Sequence, residues 1–262
     1  MIKLKNLFLQ GDDHPVGNFV KTLNIIIAAI ILILFFYITF VRLTYDFHWD
    51  SVWKYRSKFV QGFMVTLGIS LVSLFMSLVI GTILAAGQRT KVISLHMLSR
   101  MVVEIIRGTP FLVQILVFFY VVADAFGFEN RFLVGAFILS LFSGAYISEM
   151  IRAGIESVGS SQLESARSLG LTKLQIYLHV VVPQVIKRVL PSLAGQFASL
   201  IKDSSLLSII AVREFTMNAQ EVNAFTYSTL ESYFPLAIGY LLLTFPISLF
   251  SRYLEKRYHY ES

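Results

Sequence analysis

Residues 149–184 read EMIRAGIESVGSSQLESARSLGLTKLQIYLHVVVPQ, a polar, glycine-punctuated segment set between stretches apolar enough to cross a bilayer. From Glu156 to Ser168 the composition favours a helix, with Leu163, Ala166 and Leu169 at three-residue spacing on one face and Glu164 and Arg167 turned to water. Leu169-Gly170-Leu171-Thr172 breaks that helix. Gly170 adopts positive φ at a helix end without steric cost, and Thr172 is placed to cap a second helix running from Lys173. The pattern predicts two short helices hinged on a glycine, a compact knob. Pro183, with no amide to donate, is expected to turn the chain before it re-enters the bilayer. A polar knob between membrane-length stretches implies a chain that passes force to a soluble partner.

The rest of the chain agrees with a bilayer setting. Its 262 residues are 56% hydrophobic and 15% charged, with a mean hydropathy of +0.70, whereas soluble domains are about one quarter charged. Crossing a hydrocarbon core of about 30 Å takes about 20 apolar residues. Six stretches qualify: 23–41, 59–86, 111–126, 133–151, 185–210 and 234–250. The third is short unless Met101 to Ile106 extends it before Gly108 and Pro110, and the fifth is interrupted by Lys202 and Asp203. The first is longer than a signal-peptide core and lacks a small-residue cleavage site, so it reads as a retained anchor. The expected organisation is an N-terminal anchor helix and external loop over 1–58, then a core over 59–262 carrying the loop 149–184.

Basic residues give the orientation. With the N-terminus inside, fifteen of the 22 lysines and arginines, Lys3 and Lys5 among them, fall on cytoplasmic segments, six on external ones, and Lys202 lies within a span. That bias puts both termini and the knob in the cytoplasm. The net charge of +6 is spread between spans, where it sets orientation rather than a nucleic-acid surface. Trp49 and Trp53, just beyond the first span, suit an external interfacial belt.

No catalytic constellation is visible. There is no phosphate-binding G-x-x-x-x-G-K-[ST] run, no HExxH and no G-x-S-x-G, and cysteine is absent. The five histidines, His14, His48, His96, His179 and His259, are scattered, unlike the closely spaced ligands of metal sites. An intramembrane hydrolase would have to start from Ser143-Gly144 with distant His179. The chain is not read as an enzyme, and it binds no cofactor of its own.

Several stretches together resemble the membrane permease subunits of bacterial ATP-binding-cassette importers. Glu164-Ser165-Ala166 followed by Gly170 and Pro183 is similar to their Glu-Ala-Ala loop, with Ser165 at the second position of the triplet. Arg107-Gly108-Thr109-Pro110, Ala145-Tyr146 with Glu149, Arg152 and Ile155, and Lys202-Asp203-Ser204-Ser205-Leu206 resemble the polar amino-acid branch, the histidine/glutamine type, with Ser204 in place of the usual threonine. These stretches occur in family order between about residues 59 and 254. The resemblance implies an all-α integral membrane protein with a type I importer core of five helices plus the extra N-terminal helix, in the bacterial cytoplasmic (inner) membrane. It implies a second permease subunit, identical or related. It also implies a pair of ATPase subunits that hold ATP and magnesium, and a periplasmic or lipid-anchored binding protein that delivers an amino acid. Glu164, Ser165, Ala166, Leu169, Gly170 and Leu171 would then form the coupling surface. The alternative class is an ATP-independent channel or secondary carrier, which needs no hinged cytosolic knob.

The candidate pathway residues carry two readings each. Lys202 and Asp203 cost about 2.5 to 3.5 kcal/mol each at membrane depth and need a partner, a cavity or an interface. They form either a structural pair or, with the Ser204 and Ser205 hydroxyls, part of the pathway. Gln196, six residues before Lys202, lies about 240° round the helix from it; by resemblance it lines a central pocket, where a neutral amide argues against a cationic substrate. Thr109 either caps a helix beginning at Pro110 or, by resemblance, contributes to the pocket with Gln114, while Arg107 snorkels to the surface. Glu149 and Arg152, at i and i+3, are expected to pair structurally.

Overall fold

The computed structural model describes residues 17–43 and 45–259, so Lys3, Lys5 and His14 lie outside the described residues, as does the side chain of His259. Every regular element among the described residues is helical, and their contacts divide the chain after Phe47.

The first unit is carried by α1, Asn18–Arg42, in which no residue is buried. Its polar side chains turn inward on their own helix: Thr22 and Asn24 donate to the carbonyls of Asn18 and Val20 at 3.0 and 2.8 Å, and Thr39 to Phe35 at 2.8 Å. Such back-bonding hides a hydroxyl or amide from hydrocarbon.

In the second unit, after the short helix α2 (Trp49–Trp53), the central pair is α3, Arg56–Gly87, and α6, Arg131–Glu156. At 32 residues, α3 is about 48 Å long and exceeds the hydrocarbon thickness. Apart from Ile69 its buried positions are small, Gly62, Thr66, Ser70, Ser73, Ser77, Gly81 and Ala85 among them; Gly62 and Thr66 lie against Glu214 and Phe215, while Ser73 and Gly81 meet Ala136 and Gly144 of α6. Small faces let helix backbones approach where burial of apolar surface gives no advantage over lipid. A Cβ on Gly81 would stand 2.9 Å from the Gly144 carbonyl. Ser73 donates to the Ala136 carbonyl at 3.1 Å, and Gln88 to Ser148 at 3.4 Å. The pairings 73/136, 81/144 and 88/148 advance together, so α3 and α6 run parallel.

Two further elements run along α6 in the opposite sense. Helices α4 (Ile93–Gly108) and α5 (Phe111–Val117, continued by a π-helical turn Phe118–Ala123) meet at a bend of 113°. Phe111 stacks on Phe142 at 4.3 Å. After the knob, α9 (Val182–Asp203) continues as a 3₁₀ segment, Ser204–Ile210. A Cβ on Gly154 would meet Val189, Gln196 reaches Ser143, and a Cβ on Gly135 would meet Leu207, so α9 and its extension lie antiparallel along α6. Helix α11 (Thr229–His259) returns beside α9, with the Ser251 hydroxyl on the Pro191 carbonyl at 2.9 Å.

Four helices among the described residues are long and apolar enough to span a bilayer, five if the bent pair is one span. The expected span 111–126 is therefore the second limb of a broken element that begins at Ile93. The expected span 185–210 is less apolar than these, because Lys187, Arg188, Lys202 and Asp203 punctuate it; it nevertheless traverses the bundle, since its contacts with α6 extend from Gly154 to Gly135.

Two local expectations are corrected. The helix does not run on from Glu156: α6 ends there and Ser157-Val158-Gly159 separates it from the next. Pro183 does not turn the chain either. It sits in the first turn of α9, where a missing donor is tolerated, directly after a π-helical turn at Tyr177–Val181.

At the end of the bundle away from the knob, α10 (Phe215–Thr226) packs on the start of α3. Its N-cap is Glu214, fully buried. The carboxylate accepts from the amides of Met217 and Thr216 at 2.7 and 2.9 Å and from the Tyr240 hydroxyl at 2.8 Å. Gly239 makes room for the Phe215 ring.

Candidate functional site

The knob is built from α7, Ser160–Ser168, and α8, Lys173–Ile176. Leu163, Ala166, Leu171, Ile176 and Val181 pack together with Val158 beneath them. Gly170 has φ +76°. The Leu171 amide donates to the Ala166 carbonyl at 3.2 Å and the Gly170 amide to Arg167 at 2.9 Å, the paired bonds of a Schellman stop. Thr172 and Gln175 then close a reciprocal capping box, with the Thr172 amide on Gln175 Oε1 at 2.9 Å. The glycine hinge and the threonine cap both stand where the sequence puts them.

Leu169 departs from the expected apolar stripe. As the C-cap of α7 it swings outward and is 80% exposed, and Leu174 beside it is 67% exposed. The outer surface of the knob thus carries Glu164, Ser165, Leu169 and Leu174, while Ala166 is buried and holds it together. Its base is fixed to the bundle: the Arg188 guanidinium donates to the Ser157 carbonyl, and Gly154 lies directly against Val189.

At the bend between α4 and α5, Thr109 and Gln114 come together. Gln114 is buried and its amide nitrogen lies 2.6 Å from the Ile106 carbonyl, 3.0 Å from the Thr109 carbonyl and 2.8 Å from the Thr109 hydroxyl. Thr109 Oγ1 in turn donates to Ile105 at 2.9 Å. Thr109 therefore closes the end of α4 rather than opening the next helix, whose N-cap is Pro110. Extended backbone at Thr109 and Pro110 leaves the last carbonyls of α4 free, and Gln114 supplies the donor they lack.

Gln196 and Lys202 share one uninterrupted helix, so their angular separation stands. Gln196 donates to Ser143 at 3.2 Å; Lys202 is exposed and Asp203 half-buried. The Ser204 and Ser205 hydroxyls satisfy backbone carbonyls of Ile201 and Lys202 at 2.7 and 2.6 Å, which tightens the 3₁₀ turn. Two clefts, one of about 1070 Å³ beside Trp49, Trp53 and Pro235 and one of about 380 Å³ beside Phe118, Phe128 and Phe137, include none of these residues. Ser143 and His179 do not form a hydrolytic pair. Ser143 is engaged by Gln196, and the His179 ring contacts the Gln175 carbonyl on the knob.

Two groups escaped the sequence reading. Arg107 does not simply snorkel: its guanidinium lies 3.0 Å from Glu149 and over the Tyr146 ring at 5.6 Å. Glu149 also takes a bidentate contact from Arg152 at 2.9 and 3.1 Å, and Arg152 reaches Glu156 at 2.7 Å. The buried cap Glu214 was the other. Its only local signal is an acid two residues before Thr216, which periodicity does not register.

The family described as the binding-protein-dependent transport system inner membrane component matches residues 77–260. The chain is 38% identical over 201 residues to the probable glutamine ABC transporter permease protein GlnM of Bacillus subtilis, covering 77% of this chain and 93% of that protein. It is 34% identical over 216 residues to the glutamine transport system permease protein GlnP of Escherichia coli, covering 81% and 98%. Among solved structures, a chain from the crystal structure of an amino acid ABC transporter with histidines superposes with a TM-score of 0.75 at 33% identity, over 82% of this chain and 100% of that one. A chain of the inward-facing MetNI methionine ABC transporter shares the fold at 17% identity, with a TM-score of 0.63 over 76% of this chain and 95% of that one.

Proposed function

Because this chain belongs to the family of binding-protein-dependent transport system inner membrane components, we propose that it is the permease subunit through which ATP hydrolysed on separate ATPase subunits drives import of a polar amino acid. The observation that carries this reading is the knob. Two capped helices hold Leu169 and Leu174 out at the end of a rigid bundle, and exposed apolar side chains rimmed by Glu164 and Arg167 suit a groove on a soluble partner.

Each part then has a role. The ATPase pair grips two such knobs, one from each permease subunit, and closes on ATP and magnesium. Arg188 at the base and the Gly154–Val189 contact make the knob and the adjoining ends of α6 and α9 one body, so closure tilts those helices. Lys202 and Asp203 make no ion pair within the described residues, and membrane-depth charges need a partner or water. We assign them to the face shared with the second permease subunit, along the pathway. The glutamine permeases among the relatives and the neutral Gln196–Ser143 contact favour an uncharged polar amino acid. The knob faces the cytoplasm, and a periplasmic or lipid-anchored binding protein delivers substrate at the α2 and α10 end.

The test is reconstitution in proteoliposomes with the partner ATPase and binding protein. Uptake of tritiated glutamine should require ATP on the knob side and stop when Leu169→Asp and Leu174→Asp are combined, with the permease still inserted. Uptake by the permease without ATP or ATPase would establish a channel or carrier instead.

A further inference from the structure

Glu149 accepts two arginines from different elements. Arg107 lies in the last turn of α4, just before the 113° bend held by Gln114. Arg152 lies one turn further along α6 and passes the contact on to Glu156, the last residue of that helix. One carboxylate oxygen, Oε2, is 3.0 Å from Arg107 and 2.9 Å from Arg152, so the two guanidinium groups are held at the same atom.

Exposed ion pairs contribute little to stability. This set differs in its topology. Glu149 is 20% exposed against 42% for Arg107 and 35% for Arg152, and the chain of contacts Arg107–Glu149–Arg152–Glu156 runs from the bend toward the knob. Helix α4 has few other anchors: Ser99, Val103 and Ile106 are its buried residues. The direction in which α4 leads into Thr109, and so into the bend that Gln114 of α5 closes, therefore depends on where Glu149 holds Arg107.

We infer that Glu149 is a positioning residue that couples the knob to the broken α4–α5 element, by sharing its carboxylate between Arg107 and Arg152. A displacement of the knob that pulls Arg152 changes the hold on Arg107 and re-aims the bend. The inference rests on the importer reading above, and two measurements separate them. Proteoliposomes holding the full complex receive a mixture of radiolabelled glutamine, asparagine, histidine and arginine, and import and ATP hydrolysis are recorded together.

Arg107→Gln and Glu149→Gln should each lower the substrate imported per ATP about three- to tenfold, and the double substitution should go no lower than Glu149→Gln alone, because residues in one network do not act additively. Arg107→Lys, which keeps the charge, should recover part of the ratio. An unchanged ratio in both single variants, or effects that multiply in the double, would overturn the inference. Should Glu149→Gln fail to assemble, the contrast between Arg107→Gln and Arg107→Lys decides it, equal ratios counting against. A wild-type complex that imports nothing with ATP, or imports equally without it, overturns the importer reading itself.

Discussion

The Leu171 amide donates to the Ala166 carbonyl at 3.2 Å across Gly170, which sits at φ +76° with open space where a Cβ would be. The position requires a residue that tolerates left-handed backbone, and no neighbour limits its size. Gly170→Ala should cost about 1 to 2 kcal/mol locally and lower ATP-driven uptake several-fold without loss of membrane insertion. Gly170→Asn, more tolerant of that conformation, should keep most of the uptake. Equal activity in all three proteins would show that the hinge conformation is not needed.

Helix α3 offers a matched pair of glycines. A Cβ at Gly81 would collide with Ile147 at 2.7 Å and with the Gly144 carbonyl, while one at Gly68 meets nothing within 4 Å. Gly81→Ala should destabilise the detergent-solubilised permease by about 1 to 3 kcal/mol through overpacking. Gly68→Ala should melt like the native chain. Thermal unfolding followed by fluorescence distinguishes them, and identical midpoints would refute the close approach of α3 and α6.

Gln114 separates a structural role from a pathway role. Its amide faces three oxygens at the bend, so Gln114→Glu places an acceptor against acceptors. We expect a loss of about 2 to 3 kcal/mol, more than for Gln114→Leu, because a buried polar group is left without a donor. A stable Gln114→Glu protein with altered substrate preference would instead assign the side chain to the pathway.

The cap at Glu214 is predicted to be costly to remove. Glu214→Ala strands the amides of Thr216 and Met217 and the Tyr240 hydroxyl, for about 3 kcal/mol. Tyr240→Phe removes one donor of the set and should cost about 1 kcal/mol. Denaturation midpoints in one detergent compare the two; a cost for Tyr240→Phe equal to that for Glu214→Ala would contradict the assignment.

Local chemistry explains what was legible beforehand. Gly170 and Thr172 act within five residues of themselves, through φ and through a capping box, so the knob could be read from its own stretch. Apolar length likewise marks α1, α3, α6 and α11 directly. Leu169 was misread because periodicity assumes that the helix continues, and the C-cap residue already leaves the helical path. Pro183 was misread because a proline breaks a helix interior but is accepted in a first turn.

From its composition and spacing the chain determines that it lies in a bilayer, that it is helical, and that a capped polar knob interrupts it. Tertiary structure alone decided that polar α9 runs the length of α6, that Arg107 shares Glu149 with Arg152, and that Gln114 closes the bend. The reason is physical. Helix propensity, caps and apolar length depend on neighbours within a few turns, whereas Arg107 and Glu149, 42 positions apart, meet only when α4 packs Val103 and Ile106 against Ala145 of α6.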